Sequence, residues 1–209
     1  MSMIALMLLA STATPDEARI AVSKFAACVV KKKGYRARPL LDQPIGEKGA
    51  GSRWAELMNS DCLDEEAVGE KYEEQAEMRF TPMVIRGAIY EILLAKDYGQ
   101  ETRFDSFESV KSVKYAAQAK LPSSAEASYS VAMNIGECTV REATSRSYAL
   151  LATAIGTKEE TAATDALLPA IGSCTPAGVT LEFSMSVIRG MIAEPLYRLT
   201  KAKVEAGGY

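Results

Sequence analysis

Much of this 209-residue chain is written twice, and that repetition constrains its fold more than any other feature. At an offset of 110, residues 25–62 lie on 135–174: Cys28 on Cys138, Val30 on Val140, Leu40-Leu41 on Leu150-Leu151, Ile45-Gly46 on Ile155-Gly156 and Leu57 on Leu167. A small length change then brings Cys62 onto Cys174. Further along the offset becomes 103. Phe80 to Gly87 lies on Phe183 to Gly190, and both copies share the block V-I-R-G-x-I-x-E, ending at Glu91 and Glu194. A unit repeated at this scale folds as related copies that bury their apolar faces on each other. The chain therefore divides into residues 1–13, a first repeat over 14–98, a tether over 99–123 and a second repeat over 124–209.

Each copy reads as helices. Ile20, Phe25, Val29 and Val30 recur at near-helical spacing after Asp16, a candidate N-cap, and the run closes on Lys31-Lys32-Lys33-Gly34. Acid at the start, base at the end and a glycine stop suit the helix dipole and C-cap. The matching helix of the second copy starts near Ser124 and runs to about Glu142, and short helices are expected near 35–42 and 145–153. Helices over about 50–60 and 157–171 lead to the second cysteine of each copy. Thr81-Pro82 opens a helix to about Lys96, and Ser184 caps its counterpart to about Lys203, with a kink or break at Pro195. Segments 76–80 and 179–183 allow a short extended stretch. The fold class is all-α. The tether carries Phe104, Phe107, Val110, Val113 and Tyr115. That is too aromatic for a disordered linker, so it is expected to pack across the surface and tie the halves together.

The four cysteines stand 34 and 36 residues apart in the two copies. Of three possible connectivities the duplication selects one disulfide per repeat, Cys28–Cys62 and Cys138–Cys174. Free buried thiols are one alternative and a four-cysteine zinc site another, although no CxxC knuckle is present. Disulfides belong to an oxidising compartment. The run Met3 to Ala10 followed by Ser11-Thr12-Ala13 has the length and small-x-small ending of a signal peptide, without a basic n-region. Its alternative is an apolar N-terminal segment docked on the core. No stretch approaches 18 consecutive apolar residues, so no transmembrane span is expected.

Composition mostly excludes. With no histidine there is no Ser-His-Asp or Cys-His dyad and no His-liganded metal. A net charge of −3 argues against a nucleic-acid partner. No cofactor motif is present: P-loop, GxGxxG and GxSxG patterns lack a supporting context.

The repeated polar positions are the candidates for binding. Arg86-Gly87 and Arg189-Gly190 sit mid-helix, where glycine costs about 1 kcal/mol relative to alanine. Close helix approach explains the glycines, with each arginine bonding a helix C-terminus or a carboxylate. The functional reading makes Arg86 and Arg189 an anion clamp between the copies. Glu91 and Glu194 are either ion-pair partners or a general acid and base for glycoside hydrolysis. The acidic segment 64–77, seven acids and one lysine, reads as solvated and lacks the EF-hand pattern for Ca²⁺. Trp54 and Met58, at i and i+4 on an expected helix, read as core.

Two stretches carry a resemblance: Phe25-Ala-Ala-Cys28-Val-Val30 with Ile85-Arg86-Gly87, and Glu137-Cys138-Thr139-Val140 with Ile188-Arg189-Gly190 through Leu196-Tyr197-Arg198. Over about 20–60, 80–96 and 130–200 the chain resembles small exported alphaproteobacterial proteins with two tandem Cys-containing helical repeats. The resemblance implies periplasmic or secreted residence and supplies no activity or catalytic residue. The expected function is a non-catalytic exported protein that binds a small molecule or a protein through an inter-repeat groove or the acidic insertion. A carboxylate-dependent hydrolase of cell-envelope glycans and an intracellular helical adaptor are the alternatives.

Overall fold

The computed structural model describes residues 14–43, 54, 57, 62, 82–99, 101–113, 115, 124–178 and 182–207. Residues 1–13 and the acidic segment 64–77 lie outside them, as do Met58, Thr81, the stretch 76–80 and most of the helix expected over 50–60. Among the described residues every regular element is an α-helix: α1 Pro15–Leu41, α2 Pro82–Asp97, α3 Ser124–Glu142, α4 Thr144–Leu151, α5 Lys158–Cys174 and α6 Met185–Glu205. Residues 182 and 183 carry no regular structure, and no described helix is long and apolar enough to cross a membrane.

Helix starts follow local chemistry. The cap of α1 is Thr14 rather than Asp16: its hydroxyl accepts from the Glu17 amide, the Glu17 carboxylate accepts from the Thr14 amide, and Pro15 fills the first helical position. Asp16 sits in the first turn instead, bonded to Arg19 at 2.9 Å. Gly34 does not end the helix. Lys33 leaves helical geometry (φ −133°, ψ 21°), so the two helices expected over this region join across a kink. Thr157 and Ser184 cap α5 and α6 through the amides of Glu160 and Val187. Helix α6 continues through Pro195 to Glu205 without a break.

Helix α6 is the axle. Every residue from Ile188 to Tyr197 is buried, and α2, α3 and α4 all pack on it. Helix α1 lies on α2, and α5 covers α3 and α4. The closest crossings use glycine. A Cβ at Gly87 would overlap the Gly190 Cα, so α2 and α6 touch backbone to backbone between two repeat-aligned positions. A Cβ at Gly136 of α3 would overlap the Met191 carbonyl oxygen. That carbonyl is the one left without its helical donor, because Pro195 has no N–H. The proline that threatened to break α6 is tolerated where a bare glycine backbone can approach.

The tether packs as expected, with Phe107 fully buried and Phe104, Val110 and Val113 half-buried against the core. Its described anchors are on α3 and α6: Arg141 donates to the Phe107 carbonyl at 2.6 Å, Glu137 accepts from Ser112 and the Val113 amide, and Lys203 reaches the Ser106 carbonyl.

Both disulfides join the cysteines that the duplication pairs, Cys28–Cys62 and Cys138–Cys174, each with Cα atoms 5.7 Å apart. The sulfurs of Cys138 and Cys174 lie near the Glu142 carboxylate, but bonded to each other they are not thiolate ligands for a metal. The two bonds differ in access. Cys28 and Cys62 are 6% and 1% exposed, whereas Cys138 is exposed and Cys174 half-buried. Thiol exchange requires reach to a sulfur. Brief treatment of the folded protein with limiting reductant should therefore open Cys138–Cys174 first, read by alkylation and peptide mass. Opening of Cys28–Cys62 first would contradict this burial order.

Candidate functional site

The residues singled out by the repeat meet in two ion-pair clusters. Arg86, on α2 and 2% exposed, donates from Nε and a terminal nitrogen to the two carboxylate oxygens of Glu194 on α6, both at 2.9 Å. Its terminal nitrogens also reach the carbonyls of Leu41 and Gln43, where α1 ends. Arg189, on α6 and 4% exposed, makes the mirrored set. It donates to both oxygens of Glu91 on α2, to the Leu150 and Thr153 carbonyls at the end of α4, and to Glu160 at 3.0 Å. Each arginine thus joins a helix end to a carboxylate from the opposite half, and all three nitrogens of each guanidinium have partners. As an anion clamp the pair has little to offer, since both charges are already matched and buried.

Glu194 is the more heavily used carboxylate. It also accepts from Arg198 at 2.9 Å and from the Tyr129 hydroxyl at 2.6 Å, while 1% exposed. Burial opposes the charge of Arg86, and the attraction of Glu194 more than restores it, so the guanidinium stays ionised. Burial, and then the Glu194 charge, pushes the Tyr90 and Tyr129 phenols well above their ordinary value. They are neutral donors at neutral pH, to the Leu41 carbonyl and to Glu194 respectively. Glu91 borders a cleft of about 30 Å³ with Arg19, Ala88 and Arg189. That is space for one or two waters and not for a sugar ring.

A larger opening lies beside the second cluster. It has a volume of about 330 Å³ and is lined by Asp16 and Arg19 of α1, Gly156, Glu160, Thr161, Thr164 and Asp165 at the start of α5, and Met185 of α6. Local folding explains the assembly. Gly156 turns the chain at φ +79°, a left-handed conformation suited to glycine, and a Cβ there would press on Asp16. Its amide donates to Glu160 at 2.8 Å, and the other Glu160 oxygen takes both Arg19 and Arg189. Residues 160, 161, 164 and 165 then share one side of α5. Two lining side chains carry buried polar atoms with no partner among the described residues: Thr164, through Oγ1, and Arg19, through Nε. Asp165 is exposed and has no ion-pair partner among them. In the sequence none of these residues was singled out as a binding residue; Asp16 was read as a helix cap and Gly156 as a repeated position. The available signal was the polar recurrence 157, 160, 161, 164, 165 after a glycine.

Two carboxylates respond to acid. Burial raises the Glu160 carboxyl, but the hydrogen bond from Arg19, the Gly156 amide and the charges of Arg19 and Arg189 outweigh it and hold the group below its ordinary 4.5. Burial likewise opposes Asp97, yet the Arg38 fork, at 2.7 Å to each oxygen, and the Tyr197 hydroxyl hold it below 3.8. Because the folded values lie below the unfolded ones, the stabilisation is complete above about pH 4.5 and is lost as pH falls through the folded values. Melting temperature should be nearly flat from pH 8 to 5 and fall below 4.5, with a shallower fall in Glu160→Gln. An unchanged acid slope in that variant would remove Glu160 from the account.

Comparison with protein-family models, curated proteins and solved structures finds no match for this chain.

Proposed function

We propose that this chain is an exported, non-catalytic binding protein built from two related halves, and that it holds a small polar ligand in the pocket between α1 and the start of α5. The observation that carries the reading is the pocket itself. Its volume of about 330 Å³ falls at the lower end of small-molecule sites, roughly 300–1,000 Å³, and Asp16, Thr161 and Asp165 give it a polar lining.

Other features support the parts of the reading. Two disulfides suit an oxidising compartment, in keeping with the signal-like residues 1–13 and the resemblance to exported alphaproteobacterial proteins. The reciprocal pairs Arg86–Glu194 and Arg189–Glu91 suit two copies related by an approximate twofold axis at Gly87 and Gly190. The repeated glutamates neutralise arginines, which leaves the hydrolase alternative without a free acid and base at those positions. The adaptor alternative predicts unpaired thiols, and the joined cysteine pairs favour the exported reading over it.

A panel of small polar fragments titrated into the ¹⁵N-labelled oxidised protein tests the binding role. Amide shifts should cluster at Gly156, Thr161, Thr164 and Asp165. Shifts confined to other surfaces, or none, would defeat it. For export, the native protein should be recovered from the cell envelope or medium beginning near Thr14.

A further inference from the structure

Neither ion-pair cluster uses the three consecutive lysines of α1. At a helix end they would complement the dipole, but α1 only kinks at Lys33 and continues to Leu41, with Asp42 as its cap. From Ser23 to Leu41 the helix carries six cations, Lys24, Lys31, Lys32, Lys33, Arg36 and Arg38, and no acid. Arg38 is engaged, forking onto both oxygens of Asp97. Lys33, at the kink, is half-buried. Lys24, Lys31 and Lys32 are exposed and have no ion-pair partner among the described residues. Lys24 stands seven residues before Lys31, about two helical turns, so the two share one side of the helix.

An aromatic ring stands beside these charges. Tyr35, two residues beyond the kink, is 70% exposed, more than any other exposed large hydrophobic side chain described. The Arg36 guanidinium lies 5.5 Å from its ring centre. Solvation alone accounts for lysines on a helix face, but not for a tyrosine left in water among them. Cations next to an exposed aromatic ring are what a phospholipid surface takes up: ammonium groups meet the phosphates, and the ring enters the headgroup layer.

We propose that this face of α1 docks the protein on an anionic phospholipid surface, with Lys24, Lys31 and Lys32 against lipid phosphates and Tyr35 at headgroup depth. Docking is peripheral and reversible, since each cation near an anionic bilayer strengthens binding only about fivefold. A bilayer suits the face better than a nucleic acid does. The whole chain carries −3, which repels a long polyanion wrapped on it. A bilayer meets only the side turned towards it, and charges beyond about 8 Å are screened at physiological salt. Lys31, Lys32 and Tyr35 do not line the pocket, so this site is additional to the binding role above.

The test uses the full oxidised chain with vesicles of mixed phosphatidylglycerol and phosphatidylcholine, and with vesicles of phosphatidylcholine alone. Sedimentation should show binding to the mixed vesicles only, weakening as salt is raised. Headgroup spin-labelled lipid should broaden the amides of Lys31, Lys32 and Tyr35 and spare that of Thr164. The double variant Lys31→Gln/Lys32→Gln should bind about thirtyfold more weakly, roughly fivefold for each cation removed. Its melting temperature should be unchanged, because both side chains are exposed. Lys158→Gln, an exposed lysine on α5, should leave vesicle binding as it is.

Equal binding to both kinds of vesicle, binding to neither, or undiminished binding by the double variant would overturn the proposal. So would a DNA duplex, or a rise in protein concentration alone, that shifts these amides when mixed vesicles do not. Those two outcomes would give the face to a nucleic acid or to a second copy of this chain.

Discussion

Replacing Glu194 by alanine is expected to cost about 3–5 kcal/mol, the range for removing one partner of a buried ion pair. Against a typical total of about 5–15 kcal/mol, that is enough to leave the chain partly unfolded at room temperature. The reason is specific to this carboxylate. It is 1% exposed and is the one acid that both Arg86 and Arg198 bind, so its loss strands two guanidiniums and the Tyr129 hydroxyl together. Glu91→Ala, at the repeat-aligned position, should cost clearly less. Glu91 is 20% exposed, and Arg189 keeps Glu160 when it is gone. Urea unfolding of the two variants side by side reads the difference. Equal losses would mean that the clusters share their burden evenly, contrary to the contacts seen.

The second large effect concerns glycines where alanine would ordinarily help. In a helix interior Gly→Ala gains about 1 kcal/mol. At Gly136 the new methyl would occupy the Met191 carbonyl oxygen's space, and at Gly87 that of the Gly190 Cα. Both obstacles are backbone, so helices must separate, and overpacking of this kind costs about 1–3 kcal/mol or more. Gly136→Ala and Gly87→Ala should each lower stability by a net amount of at least about 1 kcal/mol. Gly190→Ala should be milder, since its nearest neighbour would lie 3.3 Å away. Thermal melts of the three variants test the ranking, and a stabilised Gly136→Ala would show that the crossing yields without cost.

The elements legible in the sequence are those with a strong local or repeated signal. The helical class, the Ser184 cap and the cysteine pairing followed from spacing and duplication. Legibility weakened where a tertiary contact overrode local preference. Lys33-Gly34 bends a continuous α1 because the following turns still pack Leu40 and Leu41 into the core, and Pro195 is absorbed because Gly136 approaches the released carbonyl. The exchange of partners was hidden for another reason. Arg86 lies five positions from Glu91 and 108 from Glu194, and no one-dimensional pattern says that the distant acid is its mate. The pocket was hidden because it depends on positions at which the two copies differ. Arg19 falls on Tyr129 at the offset of 110, and Glu160 falls on Ala50, so duplication drew no attention to either.

The exchange of partners also orders events in time. Arg86 leaves the ribosome 108 residues before the carboxylate that neutralises it, a delay of roughly 5–20 s at about 5–20 residues per second. Helix α6, which supplies Glu194 and the backbone that Gly87 touches, is synthesised after the other described helices. Helices α1 and α2 can meet each other before then, as can α3, α4 and α5, but Arg86 lacks its carboxylate until α6 follows. The joining of the two ion-pair clusters therefore waits for α6, whatever the earlier helices have already made among themselves.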